Sequence, residues 1–280
     1  MQSFEAQISW EAAVRWLKQQ PEMEELVRAC FYDDPLRSAA DRYYHSSEWE
    51  AVRNLIGSTR GRALDVGSGR GISAYSLARD GWQTTALEPD ASQEVGAGAI
   101  RSLAEETGVI IEVVEKWGEE LPFASNAFDL VHCRQVLHHA HDLAQFCREA
   151  ARVLKPGGIF IATREHVLSR PEDLQAFLDS HPLHRLYGGE NAFLLKEYTA
   201  AITSAGIRLT KVLNPWESEI NLYPETMSDL KVYIARKLLL PFPVLIPDWL
   251  LAWRGKRIDS PGRLYSFLGK KGVLGRDTDA

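Results

Sequence analysis

The sequence predicts an α/β fold in which a mostly parallel sheet carries helices on both faces, and three observations predict it. From Arg62 onward, short apolar runs alternate with stretches whose apolar residues recur at helical spacing. The first run ends in an acid and a glycine-rich turn, Asp65-Val66-Gly67-Ser68-Gly69-Arg70-Gly71, with a helical pattern starting at Ile72. The second run, Thr84 to Leu87, ends in Glu88-Pro89-Asp90.

Glycines at 67, 69 and 71 let the backbone bend sharply and come close to a ligand, while the new helix turns unpaired N–H groups and its positive end toward the same place. Such a turn suits a nucleotide-like cofactor. A dinucleotide fingerprint would need its third glycine at 72, where Ile72 stands. Glu88, at the carboxyl end of the second strand, is placed to accept from both hydroxyls of a ribose.

Composition narrows the class. The chain has 280 residues, 45% hydrophobic and 25% charged, enough for one large domain with additions or for two small ones. A formal charge of -6 argues against a nucleic-acid partner. Cys30, Cys133 and Cys147 are too few and too scattered for a disulfide framework or a thiolate metal site, so a reducing, cytoplasmic setting is expected. No signal-peptide pattern opens the chain. The longest apolar stretch, Leu238 to Trp253, is broken by Pro241, Pro243, Pro247 and Asp248 and makes a poor membrane span.

In chain order, residues 1–60 read as helical. Trp10, Ala13, Val14 and Leu17, then Met23, Leu26, Val27 and Cys30, recur at helical steps, with Pro21 opening the second run. A third helix is predicted over Ser38 to Ile56. Strands follow at Ala63–Val66, Thr84–Leu87, Ile110–Val114, Asn126–Val131 and Ile159–Thr163. A helix is expected from Leu174, then a long polar loop carrying His181, His184, Tyr187 and Glu190, then a helix over Tyr198–Ser204 and a strand over Ile207–Leu213. Long ordered loops are frequently functional, so these four residues are expected to meet substrate. His181, His184 and Glu190 are metal-ligating types without a recognised spacing, and no metal site is expected.

The pattern D-x-G-x-G-x-G, with Glu119-Glu120-Leu121-Pro122-Phe123, Arg134-Gln135-Val136-Leu137-His138-His139 and Arg152-Val153-Leu154-Lys155-Pro156-Gly157-Gly158, spans roughly residues 60–165. It resembles the class I S-adenosylmethionine-dependent methyltransferases, in their ubiquinone/menaquinone-biosynthesis-like, type 11 branch. The resemblance implies a Rossmann-like seven-stranded, mostly parallel sheet with an antiparallel last strand, for which Arg263–Leu268 fits. The core would then be residues 61–213 with 263–270, behind a helical N-terminal cap over 1–60. Residues 214–262 would form an insertion between strands six and seven, on the active-site rim.

The resemblance also implies that Asp65, Gly67, Ser68, Gly69, Gly71, Glu88, Pro89, Trp117, Gly118, Arg134 and Gln135 line S-adenosyl-L-methionine. The branch commonly has Asp where Trp117 stands. An indole cannot accept a hydrogen bond, so the backbone of Trp117 and Gly118, or Glu119, has to read adenine. Such N-terminal segments often cover the cofactor, which makes Arg42, Tyr43 and Tyr44 candidate contacts, with plain packing preferred. Ligands collect beyond the carboxyl ends of the strands, so His138, His139 and His166 are the candidate bases.

The implied reaction is O- or C-methylation of a small or medium-sized acceptor. A non-catalytic cofactor-binding relative and a nicotinamide-dependent oxidoreductase are the other readings. Within the insertion, Met227, Leu230, Tyr233, Ile234 and Leu238 mark an amphipathic helix, with Lys231, Arg236, Lys237, Arg254, Lys256 and Arg257 around the apolar run. A core-packing cap is the preferred expectation; peripheral contact with a membrane or lipid through 224–257 is the sharper one.

Overall fold

A computed structural model of the chain describes residues 8–188 and 190–272. The N-terminal segment forms α1 (Trp10–Lys18), a 3-10 turn at Pro21–Met23 and α2 (Glu24–Ala29). Ser9 caps α1 by accepting the Ala12 N–H, and Ala13, Val14 and Leu17 form its buried stripe.

The single helix expected over 38–56 is two, α3 (Leu36–Tyr44) and α4 (Ser47–Ile56). The Ser46 hydroxyl donates to the Tyr43 carbonyl and accepts the Trp49 N–H, closing one helix and capping the next. No glycine or proline marks the break.

The α/β core follows as β1 (Arg62–Val66), α5 (Ile72–Arg79), β2 (Gln83–Leu87), α6 (Ala97–Thr107), β3 (Ile111–Val114), β4 (Phe128–Arg134), α7 (Leu143–Val153) and β5 (Leu154–Leu168). After it come α8 (Leu174–Asp179), α9 (Pro182–Tyr187), β6 (Phe193–Leu194), α10 (Leu195–Ser204) and β7 (Ile207–Leu213). The insertion supplies α11 (Glu219–Leu222), α12 (Met227–Leu238) and α13 (Asp248–Gly255), and β8 (Arg263–Lys271) closes the sheet.

The strand order is β3-β2-β1-β4-β5-β8-β7, parallel except for β8, which runs antiparallel to both β5 and β7. The expected seven-stranded Rossmann-like sheet is this path. The two-residue β6 beside β5 adds an eighth strand too short to show a period. The order reverses between β1 and β4, the switch point where open α/β sheets bind ligands.

One sheet face packs Leu64, Val66, Val131 and Phe160 against Phe146, Cys147 and Ala150 of α7 and Tyr198 and Ile202 of α10. The other packs Ala63, Leu130 and Ile161 against Trp49, Val52 and Ile56 of α4 and Tyr75 and Leu77 of α5. Strands buried on both faces explain the near-continuous apolar runs.

β5 is longer than the predicted Ile159–Thr163. It runs through Arg164-Glu165-His166, with a register shift against β8 between Ala162 and Glu165 and a left-handed Arg164 (φ 60°). The irregularity brings the fully buried Glu165 to the end of the sheet next to the β4 exit.

The insertion follows the expected core-packing cap only in its first part, where Ile220 and Tyr223 pack against the main core. Farther along, Ala235, Ile246 and Leu251, with Trp216, Met227, Leu230 and Ile234 around them, form a small core of their own. Leu239 (91%), Val244 (78%), Leu245 (73%), Trp249 (69%) and Phe242 (61%) stand exposed.

Candidate active site

The glycine turn is tied to β2 by backbone bonds. The N–H groups of Gly67 and Ser68 both donate to the Leu87 carbonyl, at 2.8 and 3.1 Å. The Glu88 carboxylate accepts the Gly69 N–H at 2.7 Å and the Asp90 N–H at 3.0 Å. Burial pushes this carboxyl up to about 7, against the pull of those two donors.

Gly67 lies in the left-handed region (φ 65°), and a Cβ there would sit 2.6 Å from a Val136 methyl, so no larger residue fits. A Cβ at Gly69 would meet nothing nearer than the Val95 carbonyl oxygen at 3.9 Å, which leaves this part of the turn open to a ligand.

Asp65 is buried, with one carboxylate oxygen 2.6 Å from Nδ1 of His132; its Oδ2 has no hydrogen-bond partner among the described residues. The parallel register sets Asp65 beside His132, a residue that sequence reasoning passed over. Counting register across β1 and β4 is the signal that finds it. An open glycine turn, an unspent buried carboxylate oxygen and an acid at the end of β2 fit an adenosyl sulfonium cofactor. The eight-residue α5 adds its N-terminus, where Gly71 offers no side-chain cap.

Arg70, inside the turn, is a second residue that the sequence reading missed. Its buried guanidinium donates to the carbonyls of Phe31 and Asp33, both at 3.0 Å, and pairs with Asp34 at 2.5 Å. It therefore fastens the N-terminal segment to the glycine turn. Asp34 is half-exposed and adds little, so the two carbonyl bonds carry the effect. Arg70→Ala is expected to cost about 3 kcal/mol of stability and to speed tryptic cleavage within residues 15–28. An unchanged melting temperature and digestion pattern would sink this role.

Beyond β4, Gln135 takes a left-handed conformation (φ 55°) and donates its N–H to the Thr163 carbonyl. This turn lays Val136 on Gly67 and starts the 3-10 turn Leu137–His139. Glu165 accepts the N–H groups of Val136 and His138 and pairs with Nδ1 of His138 at 2.8 Å. Nδ1 is thereby the protonated nitrogen, and Nε2 carries the lone pair. Burial lowers the His138 pKa to about 3, so the ring is neutral at neutral pH.

Nε2 of His138 and Nδ1 of His139 lie 3.8 and 3.4 Å from Oε2 of Glu190. Ring centroids step from His139 to His138 (4.2 Å), His166 (4.8 Å), His184 (6.2 Å) and His181 (4.8 Å), so one histidine wall joins the expected bases to the expected substrate loop. Within it, Nδ1 of His166 binds the Gly262 carbonyl, His184 binds the Phe177 carbonyl, and His181 accepts the Leu183 N–H. Trp10 of α1 stacks edge-on against Tyr187 and His139, closing the cap over that end.

Arg134 forms a bidentate pair with the fully buried Glu48, at 2.7 and 2.9 Å, and donates from Nη1 to Oε1 of Gln135. Trp117 is 58% exposed and leans on His141, and a Cβ at Gly118 would strike Phe146 at 2.3 Å, so that glycine is explained by packing. Ser68 donates to the Asp65 carbonyl within the turn, and Pro89 is half-buried beside Glu88. Arg42, Tyr43 and Tyr44 pair with Asp33, Glu48 and Asp80 respectively, as packing requires.

Sheet order, glycine turn and terminal acid of β2 are those of the class I methyltransferase fold. Residues 64–162, about a third of the chain, match the family model described as a methyltransferase domain. A ubiquinone biosynthesis O-methyltransferase of Methylobacterium sp. (strain 4-46) is 33% identical over 127 residues, 45% of this chain and 48% of the relative. The chain thus spans about half the length of that curated relative. Among solved structures, the YcgJ protein of Bacillus subtilis superposes with a TM-score of 0.53 at 21% identity, over 81% of this chain and 98% of that one. The geranyl diphosphate C-methyltransferase of Streptomyces coelicolor A3(2), in complex with Mg2+, a substrate analogue and S-adenosyl-L-homocysteine, gives 0.58 at 15%, over 90% and 82%. At such identities these two likenesses concern the fold.

Proposed function

We propose that the protein methylates an oxygen or carbon of a small or medium-sized acceptor, with S-adenosylmethionine as donor. The observation that carries this reading is that the Gly67–Gly71 turn with Glu88, and the His138–His139–Glu165–Glu190 cluster, stand at the same carboxyl edge of the sheet, joined by Val136 on Gly67. When bound, the cofactor supplies an already activated methyl group.

The chain's own part is to hold both reactants in line and to keep water out. Glu88 and the turn orient the donor. Glu165 is a positioning residue that fixes the His138 ring, and the neutral imidazoles of the wall receive the acceptor's hydroxyl. The cap at Trp10 and Tyr187 closes over them. Two measurements test the reading: calorimetry with S-adenosylmethionine, and incubation of the protein with a metabolite extract and methyl-labelled cofactor. Labelled product is expected. Cofactor binding without label on any extract component would favour a non-catalytic relative, and binding of a nicotinamide cofactor instead would favour an oxidoreductase.

The exposed apolar edge of the insertion supports a second element, contact with a lipid surface. No helix among the described residues is long and apolar enough to cross a membrane. Yet Leu238 through Trp253 present apolar side chains to solvent beside the exposed Arg236, Lys237, Arg254, Lys256 and Arg257, a pattern that seats in the headgroup layer. The setting is expected to be cytoplasmic, in keeping with three free cysteines.

A further inference from the structure

We infer that His138, His139 and Glu190 form a binding site for a divalent transition-metal ion of the zinc class, at the acceptor end of the cleft. One ligand atom from each of His138, His139 and Glu190 lies within 4.8 Å of the others, and Oε2 of Glu190 faces Nε2 of His138 and Nδ1 of His139. Two of these separations, 3.4 and 3.8 Å, are within a few tenths of an ångström of those between ligands around a tetrahedral ion with bonds near 2.1 Å.

Two further observations point to a ligand. Oε2 of Glu190 is buried without a hydrogen-bond partner among the described residues, although its side chain is 2% exposed. Such an atom is costly unless something occupies its lone pairs. Glu165 meanwhile binds the far nitrogen of His138, the carboxylate–histidine arrangement that orients an imidazole toward a metal.

Two imidazoles and one carboxylate favour zinc-class ions over magnesium. Three protein ligands leave a coordination position open, and His139 keeps 37% of its side chain exposed on that side. The two histidines that the sequence offered with Glu190, His181 and His184, are tied to backbone groups instead; the partners that converge on it come from the β4 exit.

Resting on the methyl-transfer reading, the open position takes a hydroxyl or phenol oxygen of the acceptor. The two histidines then hold the acceptor through the ion, in place of a direct hydrogen bond.

The full-length protein, stripped with chelator, is titrated with Co2+ while its visible absorption is recorded, and with Zn2+ in a calorimeter. One equivalent is expected to bind, with the intense visible bands of low-coordinate cobalt. Glu190→Gln and His139→Gln are expected to weaken binding at least ~100-fold, and Glu165→Gln ~10-fold or more. His45→Gln, at an exposed histidine on another face, leaves it unchanged. Absence of binding at micromolar metal, or affinity indifferent to Glu190→Gln and His139→Gln, overturns the site. S-adenosylmethionine calorimetry on the same preparations reports separately on the methyl-transfer reading. Metal binding with no cofactor affinity would sink that reading and the acceptor assignment, and leave the ion site standing.

Discussion

Replacing Glu88 with glutamine is expected to weaken S-adenosylmethionine binding about 30-fold, the equivalent of about 2 kcal/mol for bonds made to a charged acceptor. The carboxylate already accepts the Gly69 and Asp90 N–H groups, so each oxygen has one lone pair left for a ribose hydroxyl. An amide keeps one acceptor and presents an NH2 where the other must be. The pH dependence separates this from general damage. Glu88, raised to about 7 by burial, is increasingly protonated below that pH, so wild-type affinity falls as the solution is acidified through neutrality and the variant's does not.

Stability runs the other way. Because the folded pKa lies above the ordinary 4.5, the folded state binds more protons than the unfolded one between about 4.5 and 7. This group's contribution is therefore fully present at the acid end and is lost as pH rises through that window. Thermal melts of the two cofactor-free proteins from pH 5 to 8 should show a steeper loss of stability in the wild type, since the variant keeps only the share due to other buried carboxyls such as Glu190, pushed up to about 8. Equal affinities at pH 7.5 would remove Glu88 from the ribose site.

The second large effect is expected at the insertion. Leu239→Ser, Phe242→Ser and Trp249→Ser combined should reduce binding to phosphatidylcholine–phosphatidylserine vesicles by about 100-fold or more, since each exposed side chain contributes roughly 1–2 kcal/mol on leaving water. These residues are 91%, 61% and 69% exposed, so the native fold loses little when they change. The basic residues around them add attraction to anionic headgroups of about 1 kcal/mol each, which salt screens. Binding should consequently fall in neutral vesicles and at high ionic strength. Co-sedimentation identical for the wild type and the triple variant would remove lipid contact through this segment.

The parts of the fold legible in the sequence were those buried on both sides. Ala63–Val66 and Thr84–Leu87 lie between packed layers, and burial writes an apolar run with glycine or acid at its end. What was not legible depended on side chains that answer to distant partners. Arg164-Glu165-His166 looks like the end of a strand because it is polar; the strand continues since Glu165 is matched by His138 and β8 covers its edge. Ser46 ends one helix and starts another without a proline or glycine to announce it. At the site, the glycine turn and Glu88 were readable from spacing. His132, Arg70 and the engagement of Arg134 by Glu48 were not, because each is set by strand register or by a helix far away in the chain. Trp117, a misfit to the branch's pattern, stands on the surface.

β7 and β8 are hydrogen-bonded neighbours, with Leu213 opposite Ser266 and β8 starting three residues earlier at Arg263, so residue 214 leaves and residue 262 returns at the same end of the pair. A tight hairpin could span that gap without moving any strand. The segment between is accordingly exchangeable: a different excursion spliced there would retune which molecules reach the cleft while the donor's berth, built from β1 and β2, stayed as it is.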